Sequence, residues 1–207
     1  MLDRSADARA SMPPPVVEER HRLGAPGDER AVAELQDLAN DGQLSRGAWM
    51  RVDGDWREVG AAEIAGGLTE MALARTLVAE DGSGIIGMLN FVRNAPAGEP
   101  TSERDRDPIA RPFLALRAAL GDCIYLRAMA VRHAARGRGV AARMLDLAEG
   151  VAGRERARLG VIVHEANERL IASYQKRGYR SMATEPVLFH VSYPIGSLLV
   201  ALRREAD

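Results

Sequence analysis

Apolar and polar positions alternate along this chain of 207 residues in two ways, which separate strands from helices. Short apolar runs bounded by turn residues are typical of buried strands, whereas apolar residues spaced three and four apart are typical of helices packed on a sheet. The pattern predicts strands at 16–21, 74–80, 85–92, 124–131, 159–164 and 197–202, and helices at 28–42, 113–120, 140–151 and 167–178, with one or two more between 49 and 69. This interleaving predicts an α/β fold (α+β mixed), in which a mixed sheet carries helices on both faces.

Turn and cap residues support these boundaries. Asp28 is predicted to cap the first helix, and Asp81-Gly82 is predicted to close the hairpin because it can supply positive φ angles. Residues 1–14 are polar and proline-terminated, so we expect a disordered N-terminal tail. The remainder, 15–207, has the length of a single domain. Within it, the proline-rich segment 94–112 is predicted to be a variable loop, either a solvated connection or a substrate lid.

The turn after the strand at 124–131 is rich in glycine and arginine, and its residues are Arg136, Gly137, Arg138, Gly139, Val140 and Ala141. A pyrophosphate group needs several main-chain N–H donors at a helix N-terminus, and small side chains let the ligand reach them. Arginine side chains add positive charge. The turn alone is also compatible with an ordinary glycine turn whose arginines are solvated.

A second pattern follows the next strand. Asn167 opens a helix, Tyr174 lies seven residues later on the same face, and Gly178-Tyr179 ends the helix. Together with Arg136-x-x-Gly139-x-Ala141, this order of motifs resembles the GNAT superfamily of acyl-CoA N-acyltransferases, in particular its uncharacterised bacterial members. The resemblance implies the GNAT fold, a central twisted mixed β-sheet flanked by helices on both faces.

The resemblance also implies a reaction. It implies that acetyl-CoA is the co-substrate, that no metal takes part, and that the acetyl group passes to a primary amine of a small molecule or peptide. Tyr174 would act as the general acid that protonates the leaving thiolate. The residues that the resemblance assigns to coenzyme binding are Met129, Ala130, Val131, Arg136, Gly137, Arg138, Gly139, Val140, Ala141, Asn167 and Tyr174.

The general base is where the sequence departs from the family. Many relatives carry a glutamate on the central strand, two residues after an aromatic residue, and here that position is Arg127. The titratable candidates near the core are His133, His164, Glu165 and His190, each of which also has an ordinary structural or exposed role. No activated nucleophile is visible, so we expect direct attack by the amine in a ternary complex. The missing glutamate admits an alternative, a catalytically silent CoA-binding sensor or interaction module.

A dinucleotide site is a competing interpretation of the glycine turn. Gly137-x-Gly139-x-x-Ala142 matches the loose fingerprint of such sites, and Glu165 follows a later strand. Against it, residues 133–136 separate the glycines from the strand, and a hairpin and helices precede this unit. Glu165 also comes later than the usual interval. These departures disfavour NAD as the ligand.

Composition narrows the classes of partner. The net charge is -1 and aromatic residues make up 4%, so neither nucleic acid nor a membrane is predicted as a partner. Cys123 is the only cysteine, which suits a reducing cytoplasm, and we expect it to be buried beside the strand. The first residues lack the apolar run of a signal peptide, so a cytoplasmic location is expected. The family resemblance adds a homodimer as a further expectation.

Overall fold

The computed structural model describes residues 18–42, 56–94, 108–188, 190 and 193–206. The expected tail at 1–14 and most of the 94–112 loop lie outside the described residues. The described elements are β1 (Arg20–Leu23), α1 (Glu29–Ala39), α2 (Trp56–Gly66), α3 (Glu70–Leu73), β2 (Thr76–Asp81), β3 (Gly84–Asn94), α4 (Arg111–Leu120), β4 (Cys123–Val131), α5 (Val140–Glu155), β5 (Leu159–His164), α6 (Glu168–Lys176), β6 (Arg180–Pro186) and β7 (Leu198–Arg204). A 3-10 turn at His133–Ala135 connects β4 to the glycine turn. Within the described parts of the chain, every helix is too short or too polar to cross a bilayer.

The strands form one sheet in the order β1-β2-β3-β4-β5-β7-β6. β4 and β5 are parallel, and the other neighbouring strands are antiparallel. The predicted mixed sheet is therefore confirmed. A doubly wound dinucleotide fold needs a mostly parallel sheet, so this topology excludes it.

The two faces of β4 show how helices cover the sheet. Ile124 and Leu126 pack into a core cluster with residues of α5 and α6. Cys123 and Tyr125 point to the opposite face and pack with α4, and Ala130 packs on that face with α1. The expected burial of Cys123 is confirmed, and helices lie on both faces as predicted.

The parallel strands β4 and β5 stay together only over a short stretch. Their pairing runs from Ile124–Leu159 to Leu126–Val161. Beyond that pair, β5 continues by bonding to β7, while β4 continues along β3. The centre of the sheet is therefore forked, with a gap between the two strand ends.

A β-bulge in β4 lies at the start of the fork. Phe91 of β3 pairs with Leu126, but the preceding residue, Asn90, pairs with Ala128. Arg127 is thus the extra residue that has no partner across the ladder. Because a bulge bends its strand and increases the local twist, it accounts for the direction in which β4 leaves β5.

Two local predictions differ in detail. Asp28 occupies the N-cap position of α1, but its side chain makes no capping hydrogen bond. Its carboxylate instead accepts a hydrogen bond from the N–H of Ala25 at 2.8 Å and pairs with Arg22 at 2.6 Å. The ion pair and the backbone N–H take the oxygens that a cap would use.

The hairpin between β2 and β3 forms where it was predicted, although the turn differs. The positive φ angle is found at Gly84 (105°), and Asp81 and Gly82 are not among the residues with positive φ. The Asp81 carboxylate accepts hydrogen bonds from the N–H and hydroxyl of Ser83, at 2.9 and 2.6 Å. Asp81 therefore stabilises the turn through its side chain rather than through a left-handed backbone.

Candidate active site

The fork between β4 and β5 opens into a cleft of about 290 Å³. Its walls come from β4 and β5, from one face of α6, from α4, and from the loops after α1 and before β7. The described lining side chains that can carry charge, protons or hydrogen bonds are Asn40, Asp41, Tyr125, Arg127, His164, Asn167, Tyr174, His190 and Tyr193. Segments that are far apart in the sequence therefore meet at the point where the sheet separates.

Tyr174 lines this cleft from α6. The residue is 2% exposed, and its ring meets that of Tyr179 edge-on, with centroids 5.0 Å apart. Burial raises the pKa of Tyr174 well above its ordinary value, so the phenol stays protonated at physiological pH. Leu170 and Asn167, one and two turns earlier, line the same cleft. A protonated phenol at such a position can donate a proton to a group in the cleft.

The end of β4 forms the opposite wall. Met129 lines the cleft, whereas Ala130 is buried towards α1 and Val131 is half-buried. On one side, all three residues pair with β3. On the other side, no strand among the described residues pairs with them, because β5 has already turned away. An extended ligand could add to this edge as a further strand.

The glycine turn lies beyond the end of β4, outside the lining of the cleft. Gly137 and Gly139 have φ angles of 77° and 81°, a region that favours glycine. No backbone N–H from Gly137 to Ala142 donates a hydrogen bond to another described residue, and no side chain caps α5. These N–H groups stand at the positive end of a helix of 16 residues. The arrangement suits a phosphate group.

Gly87 of β3 positions this helix. A Cβ atom at Gly87 would lie 3.1 Å from Val140 and 3.2 Å from Met144, both of which are buried. Even alanine at this position would require these side chains to shift by a few tenths of an ångström. The glycine of β3 and the buried residues of α5 together fix where the N–H groups of the turn point.

Most arginines near the turn are engaged with carboxylates from other segments, in the ion pairs Arg132–Glu34, Arg138–Asp81 and Arg143–Glu19. Arg136 makes no ion pair with another described residue, and its Nε donates to the carbonyl of Val131 at 3.2 Å. The positive charge expected from the sequence is therefore partly offset by these carboxylates. Arg136 is the turn arginine whose charge is not paired with a described carboxylate, so it is available to bind an anionic ligand.

The model of the Acetyltransferase (GNAT) family matches residues 49–179, a range that includes the fork, the glycine turn and α6. The chain belongs to the GNAT acetyltransferase family. The resemblance drawn from the two motifs is thereby confirmed. None of the curated proteins compared with the chain matches its sequence.

Solved structures confirm the GNAT fold. A protein described as histone acetyltransferase HPA2 and related acetyltransferase, from Corynebacterium glutamicum, has a TM-score of 0.61 at 15% identity, covering 91% of this chain and 97% of that one. A putative phosphinothricin N-acetyltransferase has a TM-score of 0.56 at 20% identity, covering 92% and 99%. The ribosomal-protein-S18-alanine N-acetyltransferase from Escherichia coli has a TM-score of 0.56 at 11% identity, covering 92% and 95%. At these identities the likeness concerns the fold alone.

His164 lies at the end of β5 in this GNAT cleft, with both ring nitrogens engaged. Nδ1 accepts a hydrogen bond from the N–H of Ala166 at 3.1 Å, so Nε2 carries the proton and donates to Ser197 Oγ at 2.8 Å. The Ser197 hydroxyl in turn donates to the carbonyl of Pro194 at 2.6 Å. The ring also stacks on Tyr193 with centroids 3.5 Å apart. Burial lowers the pKa of His164, which favours this neutral form.

Asn167 is tied to the loop before β7. It occupies the N-cap position of α6 without a capping hydrogen bond from its side chain. Instead, its Nδ2 donates to the hydroxyl of Tyr193 at 3.2 Å. The structure thus places Asn167 in the cleft with Tyr174 and not beside the glycine turn.

The other candidate bases differ in position. Glu165 Oε1 accepts a hydrogen bond from the N–H of Leu198 at 2.7 Å, which holds the start of β7. His133 is exposed on the 3-10 turn and is not part of the cleft lining. His190 lines the cleft, and burial lowers its pKa. Of the histidines proposed from the sequence, His164 and His190 reach the cleft and His133 does not.

Arg127 replaces the glutamate that many GNAT relatives carry. It is exposed and lines the cleft at the bulge of β4. Among the described residues, it has no hydrogen-bond or ion-pair partner. The cleft therefore presents a positive group where a carboxylate was expected from the family pattern.

Sequence reasoning missed three residues that the fold brings into the cleft, namely Asp41, Phe113 and Tyr193. Asp41 adopts a positive φ of 53° directly after α1, beside Gly42. Asp-Gly pairs are a turn signal, but they do not indicate which site the turn will reach. Phe113 begins the helix predicted at 113–120, and the apolar pattern of that helix does not indicate that it reaches the cleft. No spacing rule connects these positions.

Proposed function

We propose that this protein transfers an acetyl group from acetyl-CoA to a primary amine of a small molecule or peptide. The observation that carries the proposal is that Tyr174, buried and protonated, shares a cleft with Met129 at the open edge of β4. Membership of the GNAT acetyltransferase family supports the reaction class. The acceptor approaches from the side of the cleft that carries Asp41, Phe113 and Arg127.

The coenzyme fits the residues present. The pyrophosphate is proposed to bind the N–H groups from Gly137 to Ala142, with Arg136 adding charge. The pantetheine arm is proposed to lie along the unpaired edge at Met129–Val131. Asn167 is proposed to contact it from α6. Acetyl-CoA supplies the acetyl thioester, and these contacts bring its reactive end to the fork.

The acetyl transfer then requires one proton to be donated to the leaving thiolate and one to be accepted from the amine. As the amine nitrogen bonds to the acetyl carbon, the carbon–sulfur bond breaks, and Tyr174 protonates the departing thiolate. Asp41 and His190 line the cleft, and a carboxylate or a neutral imidazole can accept the proton that the amine loses. His164 is not assigned as the base, because both of its ring nitrogens already have hydrogen-bond partners.

Replacing Tyr174 by phenylalanine tests this assignment. With acetyl-CoA and a mixture of primary amines, Tyr174→Phe is expected to lower kcat for thiol release about 100-fold while acetyl-CoA affinity is retained. Tyr179→Phe is the matched control, since this second buried phenol packs against the first but does not line the cleft. Unchanged kcat in Tyr174→Phe would contradict its role as the acid.

A CoA-binding sensor is the second candidate, and the arginine at position 127 is the observation that favours it. A sensor would bind acetyl-CoA but release no thiol with any amine. In that case Tyr174→Phe would change neither affinity nor turnover. Thiol release by the unmodified protein therefore separates the two functions.

A further inference from the structure

We propose that the acceptor is an amine that also carries a carboxylate, as an α-amino acid does, and that Arg127 binds this carboxylate. The inference rests on the proposed acetyl transfer and names its substrate class. Arg127 would act as a specificity-determining residue of the acceptor, without taking part in the transfer of the acetyl group.

The position of Arg127 sets it beside the reacting groups. It is the extra residue of the β4 bulge, directly after the last residue that pairs with β5. Met129, proposed to contact the coenzyme, follows two positions later, about 7 Å along an extended strand. A carboxylate on Arg127 and an amine at the thioester can thus belong to one small molecule.

Arg127 is distinguished by its position in the cleft together with the lack of a described ion-pair partner, since other unpaired arginines, such as Arg180, lie outside the described cleft lining. Side chains that pair with carboxylates include Arg22, Arg93, Arg132, Arg138, Arg143 and Arg177. Arg127 has no such partner among the described residues, although it faces a cleft that contains Asp41. A guanidinium stays charged at any physiological pH and presents a planar set of donors that matches a carboxylate.

Neighbouring groups increase the positive character of this wall. The guanidinium of Arg117 lies 5.6 Å from the ring centre of Tyr125, two residues before Arg127. Burial raises the pKa of Tyr125 to about 12, and the charges of Arg117 and Arg127 act in the opposite direction. Arg117 is already engaged, because its Nε donates to Asn94 Oδ1 at 2.9 Å. Arg127 is thus the member of this pair that can bind a ligand.

The cleft also has groups for the rest of such a molecule. Asp41 is the carboxylate among its described lining residues, and it can attract the ammonium form of the acceptor before deprotonation. Phe113 is 39% exposed on α4 and offers an apolar surface. A carboxylate, an amine and an apolar side chain are the three parts of many α-amino acids.

Matched acceptors test the inference. Each set contains an amino acid, its neutral amide and the decarboxylated amine, built on phenylalanine, methionine and glutamine. Thiol release with saturating acetyl-CoA gives kcat/KM for each, compared at equal concentrations of unprotonated amine. We expect the amino acid to exceed both neutral relatives at least tenfold in one or more sets.

Substitutions of Arg127 test whether its guanidinium causes the preference for the acceptor with a carboxylate. Arg127→Gln is expected to abolish the preference for the acid, Arg127→Lys to keep part of it, and Arg127→Glu to reverse it towards the amine without a carboxylate. Arg180→Gln, which removes an exposed arginine on β6, is the control and should keep the preference. Acetyl-CoA affinity should be the same in all these proteins.

The outcomes separate the inference from the proposed function. Equal or better use of the neutral amines, a preference that survives in Arg127→Gln, or failure to acetylate any of the acids while acetyl-CoA binds would each overturn the inference. The absence of acetyl-CoA binding would instead remove the proposed function. Loss of preference in Arg180→Gln as well would show that general surface charge is responsible, and would overturn the role of Arg127.

Discussion

The two sides of the fork differ in how they are built. On the side where we propose that the coenzyme binds, most of the contacts come from main-chain groups of two neighbouring stretches, Met129–Val131 and residues 137–142. On the proposed acceptor side, the contacts come from side chains of separate segments, among them Asp41, Phe113 and Arg127. Main-chain recognition depends on spacing within one strand–turn–helix unit, whereas side-chain recognition depends on how distant segments pack. The donor can therefore be inferred from local order along the chain, and the acceptor class only from the assembled cleft.

The largest effect in this comparison is expected from Gly139→Ala on the coenzyme side. The residue has a φ of 81°, a backbone conformation that alanine disfavours, whereas the contact of an added Cβ atom with Nη1 of Arg143, at 2.9 Å, can be relieved by movement of that flexible side chain. The change should therefore displace the N–H donors and raise the acetyl-CoA dissociation constant at least tenfold, measured by calorimetric titration.

Gly84→Ala provides a matched control for the backbone strain. Gly84 has a φ of 105° in the hairpin turn, with no atom within 4 Å of an added Cβ. Both variants should lose about 1 kcal/mol of stability because alanine disfavours positive φ. Only Gly139→Ala should lose affinity, and equal affinities in the two variants would place the phosphates elsewhere.

A smaller effect is expected from Phe113→Ala on the acceptor side. The ring is partly exposed, so its removal takes away a surface for the acceptor without opening a large cavity in the core. We expect KM for the best acceptor to rise about fivefold, corresponding to partial loss of apolar contact, while acetyl-CoA affinity is unchanged. A shift in acetyl-CoA affinity without a change in acceptor KM would contradict the assignment of the two sides.

The smallest effect concerns the pH dependence of stability around His164. Burial lowers its pKa in the folded state, so the unfolded chain holds the proton more tightly, and the free energy of unfolding should decrease as pH falls below about 6.5. Asp41 and Glu165 act on it in the opposite direction, and His190 and Tyr193 adjoin it. Urea unfolding at pH 7.5 and 5.5 measures the difference.

His164→Gln should flatten this dependence, although His190 contributes in the same range because burial lowers its pKa too. His133→Gln, at an exposed position, is the control and should leave the profile unchanged. Carboxylates whose pKa is lowered by arginine partners, such as Asp28, lose their contribution only at more acidic pH. A steeper profile in His164→Gln would contradict the neutral, doubly bonded form of His164.

Much of the fold could be predicted because its elements have clear periodicity. β5 was predicted at 159–164 and is found there, and α6 follows Asn167 as expected. The bulge at Arg127 could not be predicted, because it depends on the register between β3 and β4. Asp28 and Asp81 lie at the helix start and the hairpin turn as predicted, but their carboxylates accept hydrogen bonds that the sequence did not indicate, from the N–H groups of Ala25 and Ser83 respectively.

In the candidate site, too, local spacing could be predicted from the sequence, whereas contacts between distant segments could not. Asn167 and Tyr174 share the cleft because helical spacing puts them on one face. The engagement of His164 with Ser197, and of Arg143 with Glu19, involves partners far along the chain that no local pattern indicates. The sequence indicates which titratable groups are present, but only the packed structure shows which of them already have hydrogen-bond or ion-pair partners.

Thermal stability of the purified protein alone, with acetyl-CoA, with coenzyme A and with NAD tests most directly whether the fork and the glycine turn bind the coenzyme. A ligand at 100 times its dissociation constant adds about 2.7 kcal/mol to the free energy of unfolding. We predict a higher melting temperature with acetyl-CoA and with coenzyme A, and no change with NAD. No change with either coenzyme A species at saturating concentrations would contradict the assignment of the fork and the glycine turn as a coenzyme site.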